Sequence, residues 1–205
     1  MAWHIPNHEM VTFDRNPLVM VTSQLRFHPI LLIKQIETVS AFQEKIRRKF
    51  PVFKEESTNV LTALPGPGGG EIIWETRQEK QYTFISENGN IRIILSPTSI
   101  AIENKAHEKR AQLVEDFVLA INALTEVYGV VTAIRLGLRY IDLIDKNILS
   151  RDLERTIEWN EVVKPQFLAM PTQIDLQDTL FYTEITSPIS SDNALTLRYG
   201  LLKDT

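Results

Sequence analysis

The chain has 205 residues, of which 43% are hydrophobic and 23% charged, and its formal net charge is −4 at pH 7. This is the composition of a globular protein, and the acidic balance argues against a general nucleic-acid or anionic-membrane binder. The absence of cysteine excludes disulfides, thiolate metal sites and thiol nucleophiles. No apolar run reaches the roughly 20 residues of a membrane helix and no secretory signal is visible, so we expect a cytoplasmic protein without membrane association.

The N-terminal elements are predicted to be an arm, a strand and a helix. Residues 1–16 are polar and without a clear period, which indicates an arm. Apolar and polar residues alternate over Val19–His28, as expected for a strand with one buried face and one wet face. Ser40 is a candidate N-cap for a helix that ends at Phe50, because Pro51 disfavours helical geometry in the residue before it.

The middle of the chain is predicted to contain a loop, four short strands and a long helix. Residues 54–70 lose all periodicity and end in a run of glycine and proline, which favours a mobile loop. Asn88-Gly89 is a strong hairpin signal between the second and third strands. The longest helix is expected over about His107 to Tyr128, with Gly129 at the C′ position, where glycine adopts positive φ. The four strands begin near Ile72, Tyr82, Ile91 and Ile100.

The C-terminal third is predicted to contain three strands and a weak helix. In the strand Ala133–Ile144, apolar residues occupy one face and two arginines flank a glycine on the other. Ser150 is a candidate cap for the short helix that follows. The two final strands are expected around Leu176–Thr186 and Leu195–Leu202.

The strands also contain a repeated triplet. Leu25-Arg26-Phe27 is similar to Leu138-Arg139-Tyr140 and to Leu197-Arg198-Tyr199. In each triplet, alternation places the arginine on the face opposite to its apolar neighbours. Duplication and chance both account for matches of this length. We interpret the chain as an arm (1–16), a first half (17–129) and a second, incomplete half (130–205) of the same domain.

The predicted fold class is α+β, with a curved antiparallel sheet and helices packed on one face. The order strand, helix, four strands, helix resembles one half of a TATA-binding-protein-like fold, in which the other face of the sheet is open. This analogy concerns architecture, and a fold does not by itself imply a function.

Two arginine-bearing motifs resemble an uncharacterised prokaryotic protein family. Residues 24–31 (QLRFHPIL) are similar to its opening and residues 135–142 (RLGLRYID) to its most recognisable segment, within a likeness that covers roughly 17–145. The family is sporadically distributed in bacteria and archaea and brings no established activity. Its members usually continue beyond the length of this chain, which implies a missing C-terminal piece. Its distribution is typical of accessory systems such as toxin–antitoxin and anti-phage systems.

Catalytic chemistry is not indicated by any motif. His4 and His8 have the spacing of a helical metal pair, but a proline lies between them and no third ligand follows nearby. The glycine-rich run lacks the Lys-Ser/Thr that completes a phosphate loop, and no nucleophile elbow occurs. We therefore predict no catalytic residue, no cofactor and no metal, and a protein that is not an enzyme.

Several charged groups have simple structural interpretations. Asp142 and Asp145 bracket the end of a strand, where solvated carboxylates are commoner than a cation site. The basic segment Lys45–Lys49 suits the C-terminus of a helix, although contact with an acidic partner or a phosphate is the alternative. Glu115-Asp116 lies beside the stripe of the long helix and is expected to face water.

Five polar residues form the candidate binding site. Guanidinium groups bind carboxylates and phosphates, and several of them on one open sheet face would make a local anion site in an acidic protein. The structural alternative is that each arginine pairs across strands with Glu75, Glu103 or Asp142. The candidate residues are Gln24, Arg26, Arg135, Arg139 and Arg198, with Arg92 as a further neighbour.

These observations favour a non-catalytic module that binds a protein partner such as a cognate toxin or effector. The docking surface would be the open sheet face or an apolar edge. The alternative is recognition of a nucleotide or nucleic acid on the arginine-bearing face, for which affinity would fall steeply with salt.

Overall fold

A computed structural model describes residues 16–65, 72–129, 132–164 and 181–201. The chain divides into two compact units, Pro17–Leu143 and the remaining residues. The first unit contains a six-stranded sheet and two long helices, and the described part of the second contains two short helices and a two-stranded sheet. The predicted arm lies outside the described residues except for Asn16.

The first unit is an antiparallel sheet with helices on one face, so the predicted α+β fold class is confirmed. The strand order is β2-β3-β4-β5-β1-β6, and every neighbouring pair is antiparallel. The elements in chain order are β1 (Leu18–Phe27), a 3₁₀ helix (Leu31–Lys34), α1 (Ile36–Ile46), β2 (Val52–Pro65), β3 (Ile72–Ile85), β4 (Ile91–Ser96), β5 (Ser99–Asn104), α2 (Arg110–Tyr128) and β6 (Ala133–Asp142).

The second unit contains α3 (Lys146–Asp152), α4 (Trp159–Val162), β7 (Phe181–Pro188) and β8 (Ala194–Leu201). The strands β7 and β8 form an antiparallel pair, in which Ile185 lies opposite Leu197. The cap of α3 is Asp145 rather than Ser150, because the Asp145 side chain accepts hydrogen bonds from the two backbone N–H groups of Asn147 and Ile148.

Alternation along β1 positions the core against one face of the sheet. Val21, Ser23 and Phe27 are buried, whereas Gln24 and Arg26 are exposed on the opposite face. This is the pattern predicted for a strand with one buried and one wet face. Helices α1 and α2 cover the buried face, and the core between them and the sheet contains aromatic and aliphatic side chains from both layers, including Phe42, Phe50, Phe84, Ile93, Ile100 and Leu124.

Helix α1 begins before the predicted cap. It starts at Ile36, so that Ser40 lies inside the helix and its hydroxyl donates to the Glu37 carbonyl at 2.7 Å. The N-cap residue, Gln35, makes no capping bond with its side chain. Because no side chain caps the start of α1, the sequence contains no capping signal at this position.

The predicted loop at residues 54–70 is wrong over most of its length, because β2 extends from Val52 to Pro65 and pairs along β3. Lys54, Glu55, Glu56 and Ser57 are all exposed. A strand segment without a buried face has no apolar periodicity, so the sequence gives no sign of it. Residues 66–71 lie outside the described residues.

The two strands predicted near Ile72 and Tyr82 are a single strand, β3, so the meander consists of β2 to β5. The hairpin at Asn88-Gly89 is confirmed, with φ of 75° at Gly89. The Asn88 side chain fixes this turn by accepting hydrogen bonds from the Ser86 hydroxyl at 2.8 Å and from the Asn90 backbone N–H at 3.1 Å.

The C-terminal end of α2 also agrees with the sequence. The helix ends at Tyr128, and Gly129 has φ of 84° while its N–H donates to the Thr125 carbonyl. Leu113, Phe117 and Leu124, which recur along the sequence at the spacing of an apolar helix stripe, are buried.

Tyr82 makes the fold sensitive to alkaline pH. Its side chain is fully buried in the core, and burial raises the pKa of its phenol above the ordinary value of 10.0. The unfolded chain therefore releases this proton at a lower pH than the folded chain does. We expect the free energy of unfolding to fall as the pH rises above about 10, and to fall less steeply in Tyr82→Phe. Urea unfolding of both proteins at a series of pH values measures the difference, and parallel pH profiles would contradict it.

Candidate binding surfaces of strands β1 and β6

The pairing of β1 with β6 positions most of the candidate site. In this antiparallel register Gln24 lies opposite Gly137, and Arg26 lies opposite Arg135. The strand predicted to open the second half of the domain therefore lies in the first unit, where it extends the same sheet. Because side chains of directly opposed residues share a face, the register fixes which groups come together.

Four of the predicted site residues lie together on the sheet face opposite to the helices. Gln24, Arg26, Arg135 and Arg139 are all exposed there, and we call them the arginine face. Two arginines oppose each other directly and the third lies opposite Thr22. Like charges directly opposite each other destabilise a sheet pair, so the arrangement is unfavourable for folding alone.

Gly137 lets one guanidinium lie close to the strand. A Cβ atom at this position would lie 3.9 Å from Nη2 of Arg135, so that guanidinium lies above the glycine. The side chain of Arg135 thus extends along β6 toward Arg139, which is two residues beyond the glycine on the same face. The two cations share one surface without an intervening side chain at Gly137.

The acidic residues named as alternatives do not neutralise these arginines within the described residues. Glu103 lies opposite Arg92 and forms its ion pair with that residue. Asp142 lies at the far end of the β1–β6 pair, opposite Leu18. The side chain of Glu75 lies outside the described residues. Arg92 therefore has an acidic partner on this face, whereas the three arginines of the arginine face have none in the described ranges of the chain.

Arg198 is not part of the arginine face. It lies in β8, in the two-stranded sheet of the second unit, and its Nε donates to Glu184 at 2.9 Å. The similarity of its triplet to the other two does not extend to a shared sheet. A Leu-Arg-aromatic triplet is compatible with any strand that has one exposed face. The triplet therefore does not determine to which sheet its strand belongs.

The opposite face of β6 exposes an apolar strip. Alternation in the triplet Leu138-Arg139-Tyr140 predicts that its leucine and tyrosine are buried. This prediction is wrong, since both are at least half exposed, as are Ile134 and Leu136. They align with the buried face of β1, on the outermost strand of the sheet. We call them the apolar strip: Ile134 (59% exposed), Leu136 (68%), Leu138 (58%) and Tyr140 (50%).

The outer edge of β6 has no strand partner among the residues that the structure describes. Exposed edges are commonly protected by proline or charged side chains that discourage further pairing. The other edge strand, β2, carries Lys54, Glu55 and Glu56, all exposed. On β6 the residues available to a neighbouring strand are apolar on one face and basic on the other, without proline.

The basic segment at the end of α1 forms ion pairs with acidic residues of α1 and α2. Lys45 pairs with Glu126 of α2 at 2.7 Å, and Arg47 pairs with Glu44 at 2.8 Å. Lys49 pairs with Asp116 of α2. Most of this charge is thus neutralised within the molecule, which leaves little for an external anion.

Asp116 is predicted to face water, but this prediction is wrong, since its side chain is only 1% exposed. Its Oδ1 accepts hydrogen bonds from Lys49 and, at 3.1 Å, from the Gln112 amide, while Oδ2 has no hydrogen-bond partner in the described part of the chain. Four-residue spacing from Gln112 places both on one helix face, but only the packing of α1 shows that Asp116 is buried. Sequence reasoning missed this pair.

The described residues contain no group of three or more side chains suited to a metal ion. Asp145 is occupied as a helix cap, and His28 is exposed beside Pro29. His4 and His8 lie outside the described residues. Among the helices that the structure describes, none combines the length and apolarity needed to cross a bilayer.

The chain matches no protein-family model, and a search of curated proteins finds no similar sequence. The resemblance carried by QLRFHPIL and RLGLRYID, the implied prokaryotic family and the TATA-binding-protein-like architecture therefore stay predictions.

Proposed function

We propose that this chain is a non-catalytic protein-binding module and that it binds its partner through β6. The observation that carries the proposal is the apolar strip, whose four large side chains are exposed side by side on one strand. Contiguous exposed apolar side chains mark interaction sites more often than isolated ones do. The strand also presents an edge that is unpaired among the described residues, which allows a partner to bind backbone as well as side chains.

The biological setting that we propose is a prokaryotic accessory system of the toxin–antitoxin or anti-phage type. Its support is the resemblance of residues 24–31 and 135–142 to a sporadically distributed family. In such systems the partner is commonly encoded beside the binding module, which makes the neighbouring genes the first candidates. A cytoplasmic location is part of the same proposal.

Replacing Leu138 with glutamate is expected to abolish binding of a partner encoded by an adjacent gene. Truncation of a central apolar contact weakens interfaces by tenfold or more, and a buried charge adds to that loss. The measurement is co-purification of the tagged chain with each neighbouring gene product, followed by titration of the captured protein.

Leu31→Glu is the matched control, because Leu31 is at least as exposed as Leu138 (68% against 58%) but lies outside β6. The proposal requires that Leu31→Glu bind as the unmodified chain does. Equal losses in both variants, or unchanged binding in Leu138→Glu, would contradict docking on β6. Failure of the unmodified chain to bind any neighbouring product would contradict the setting in an accessory system.

A second candidate function is recognition of a nucleotide or nucleic-acid segment on the arginine face. The observation that favours it is the direct opposition of Arg26 and Arg135 without a neutralising acid among the described residues. Guanidinium groups held close together bind phosphates through paired N–H donors. No aromatic side chain lies between these arginines in the β1–β6 pair, so such binding would rest on phosphate rather than on base stacking.

A further inference from the structure

We infer that the partner contributes an extended segment that alternates apolar and acidic residues and pairs with the outer edge of β6 as a seventh strand. This inference rests on the proposed function and specifies the chemistry of its partner. It uses three features. The first is the edge of β6 that is unpaired among the described residues, which we call the free edge, and the others are the apolar strip and the β6 arginines of the arginine face. Each feature places a separate requirement on the occupant.

The free edge requires an extended backbone. A strand of ten residues offers a row of N–H and C=O groups to a neighbour, and strand addition uses these groups for affinity. Elsewhere in the sheet every strand described from β3 to β1 has a partner on both sides. A seventh strand would extend the existing six-stranded antiparallel sheet by the same backbone hydrogen bonding.

The two faces of β6 require different side chains from that strand. Successive residues of an added strand point to opposite faces and lie beside residues of β6 on the same face. Residues on the helix side would cover Leu136 and Leu138, which favours apolar side chains. Residues on the open side would lie beside Arg135 and Arg139, which favours carboxylates.

The charges disfavour a second copy of the chain as the occupant. Antiparallel pairing of β6 with β6 of another copy within one continuous sheet would place Arg135 and Arg139 of both copies on the same face. Four guanidinium groups would then share one junction, and β6 itself has no carboxylate between Ala133 and Ile141 to offset them. An acidic strand from a different protein removes this repulsion and adds cross-strand ion pairs.

The experiment uses labelled peptides of about ten residues and the full chain. One peptide alternates valine with glutamate, a second has the same composition in scrambled order, and a third alternates valine with lysine. Fluorescence anisotropy gives the affinities, and amide hydrogen exchange reports protection along β6. We expect the valine–glutamate peptide to bind at least about tenfold more tightly than the scrambled one, because only alternation satisfies both faces at once.

Charge reversal then tests the role of the arginine face. Arg139→Glu should weaken the valine–glutamate peptide by about tenfold and strengthen the valine–lysine peptide. Arg48→Glu is the control, since it changes the net charge equally at an exposed position beyond the end of α1. An equal effect of both variants would show general charge attraction and overturn the inference.

The outcomes separate this inference from the proposed function. If the scrambled peptide binds as well as the alternating one while Leu138→Glu still blocks the natural partner, the strand-addition inference fails and docking on β6 stands. If Leu138→Glu leaves the natural partner bound, docking on β6 fails as well. A dimer of the unmodified chain that Leu138→Glu dissociates, detected by sedimentation, would identify a second copy as the occupant and overturn the inference.

Discussion

Replacing Lys49 with methionine is expected to lower the free energy of unfolding by about 2–3 kcal/mol, because the buried carboxylate of Asp116 loses its cation. Breaking a fully buried ion pair costs about 3–5 kcal/mol, and the 41% exposure of the Lys49 side chain reduces this value. Methionine retains the length and apolar stem of lysine, so the change isolates the charge. Urea unfolding of the full chain, followed by far-UV circular dichroism, gives the free energies.

Lys45→Met provides the internal comparison at the other end of the same segment. Lys45 pairs with Glu126, and both side chains are more than half exposed. Ion pairs of this kind contribute about 0–1 kcal/mol, so we expect a change within that range. Similar losses in Lys45→Met and Lys49→Met would show that burial of Asp116 does not determine the contribution.

Arg135→Glu should stabilise the sheet and weaken phosphate binding at the same time. The substitution converts the opposed pair Arg26 and Arg135 into an attractive one, which is expected to add about 0.2–1 kcal/mol to the free energy of unfolding. If the arginine face binds phosphate, loss of that contact should weaken RNA or DNA binding and reduce the slope of log affinity against log salt by about 1. Functional sites commonly combine lower stability with activity in this way.

The measurements are urea unfolding and titration of short RNA and DNA at two salt concentrations, with Arg48→Glu as the variant of equal charge. A salt-independent affinity, or equal weakening by both variants, would count against nucleic-acid recognition on the arginine face. A loss of stability in Arg135→Glu would show that this arginine stabilises the sheet, contrary to the opposed-charge interpretation.

Local patterns correctly predicted the elements that have one buried face. The alternation around Val21, the apolar stripe of α2 and the hairpin at Gly89 each depend on neighbours close in the chain. Such patterns also predicted that Arg26 and Arg139 lie opposite to the apolar side of their strands. These signals were sufficient to predict the fold class, and to predict that four of the five candidate site residues lie on one face of the sheet.

The remaining features depend on contacts between distant segments. The strand β2 has exposed residues from Lys54 to Ser57 and therefore no periodicity. Leu138 has the pattern of a core residue, but it lies on the outermost strand of the sheet and is 58% exposed. Asp116 is buried by α1, and Arg198 belongs to another sheet. Periodicity describes which face a residue occupies, but it does not show what covers that face.

The register between β1 and β6 has a symmetry consequence. Leu25-Arg26-Phe27 and Leu138-Arg139-Tyr140 are 138 − 25 = 113 positions apart, and Gln24 lies opposite Gly137 at the same separation, 137 − 24 = 113. A local two-fold axis perpendicular to the sheet therefore passes between Gln24 and Gly137 and exchanges Arg26 with Arg139. A ligand with its own two-fold symmetry would therefore contact both arginines equivalently.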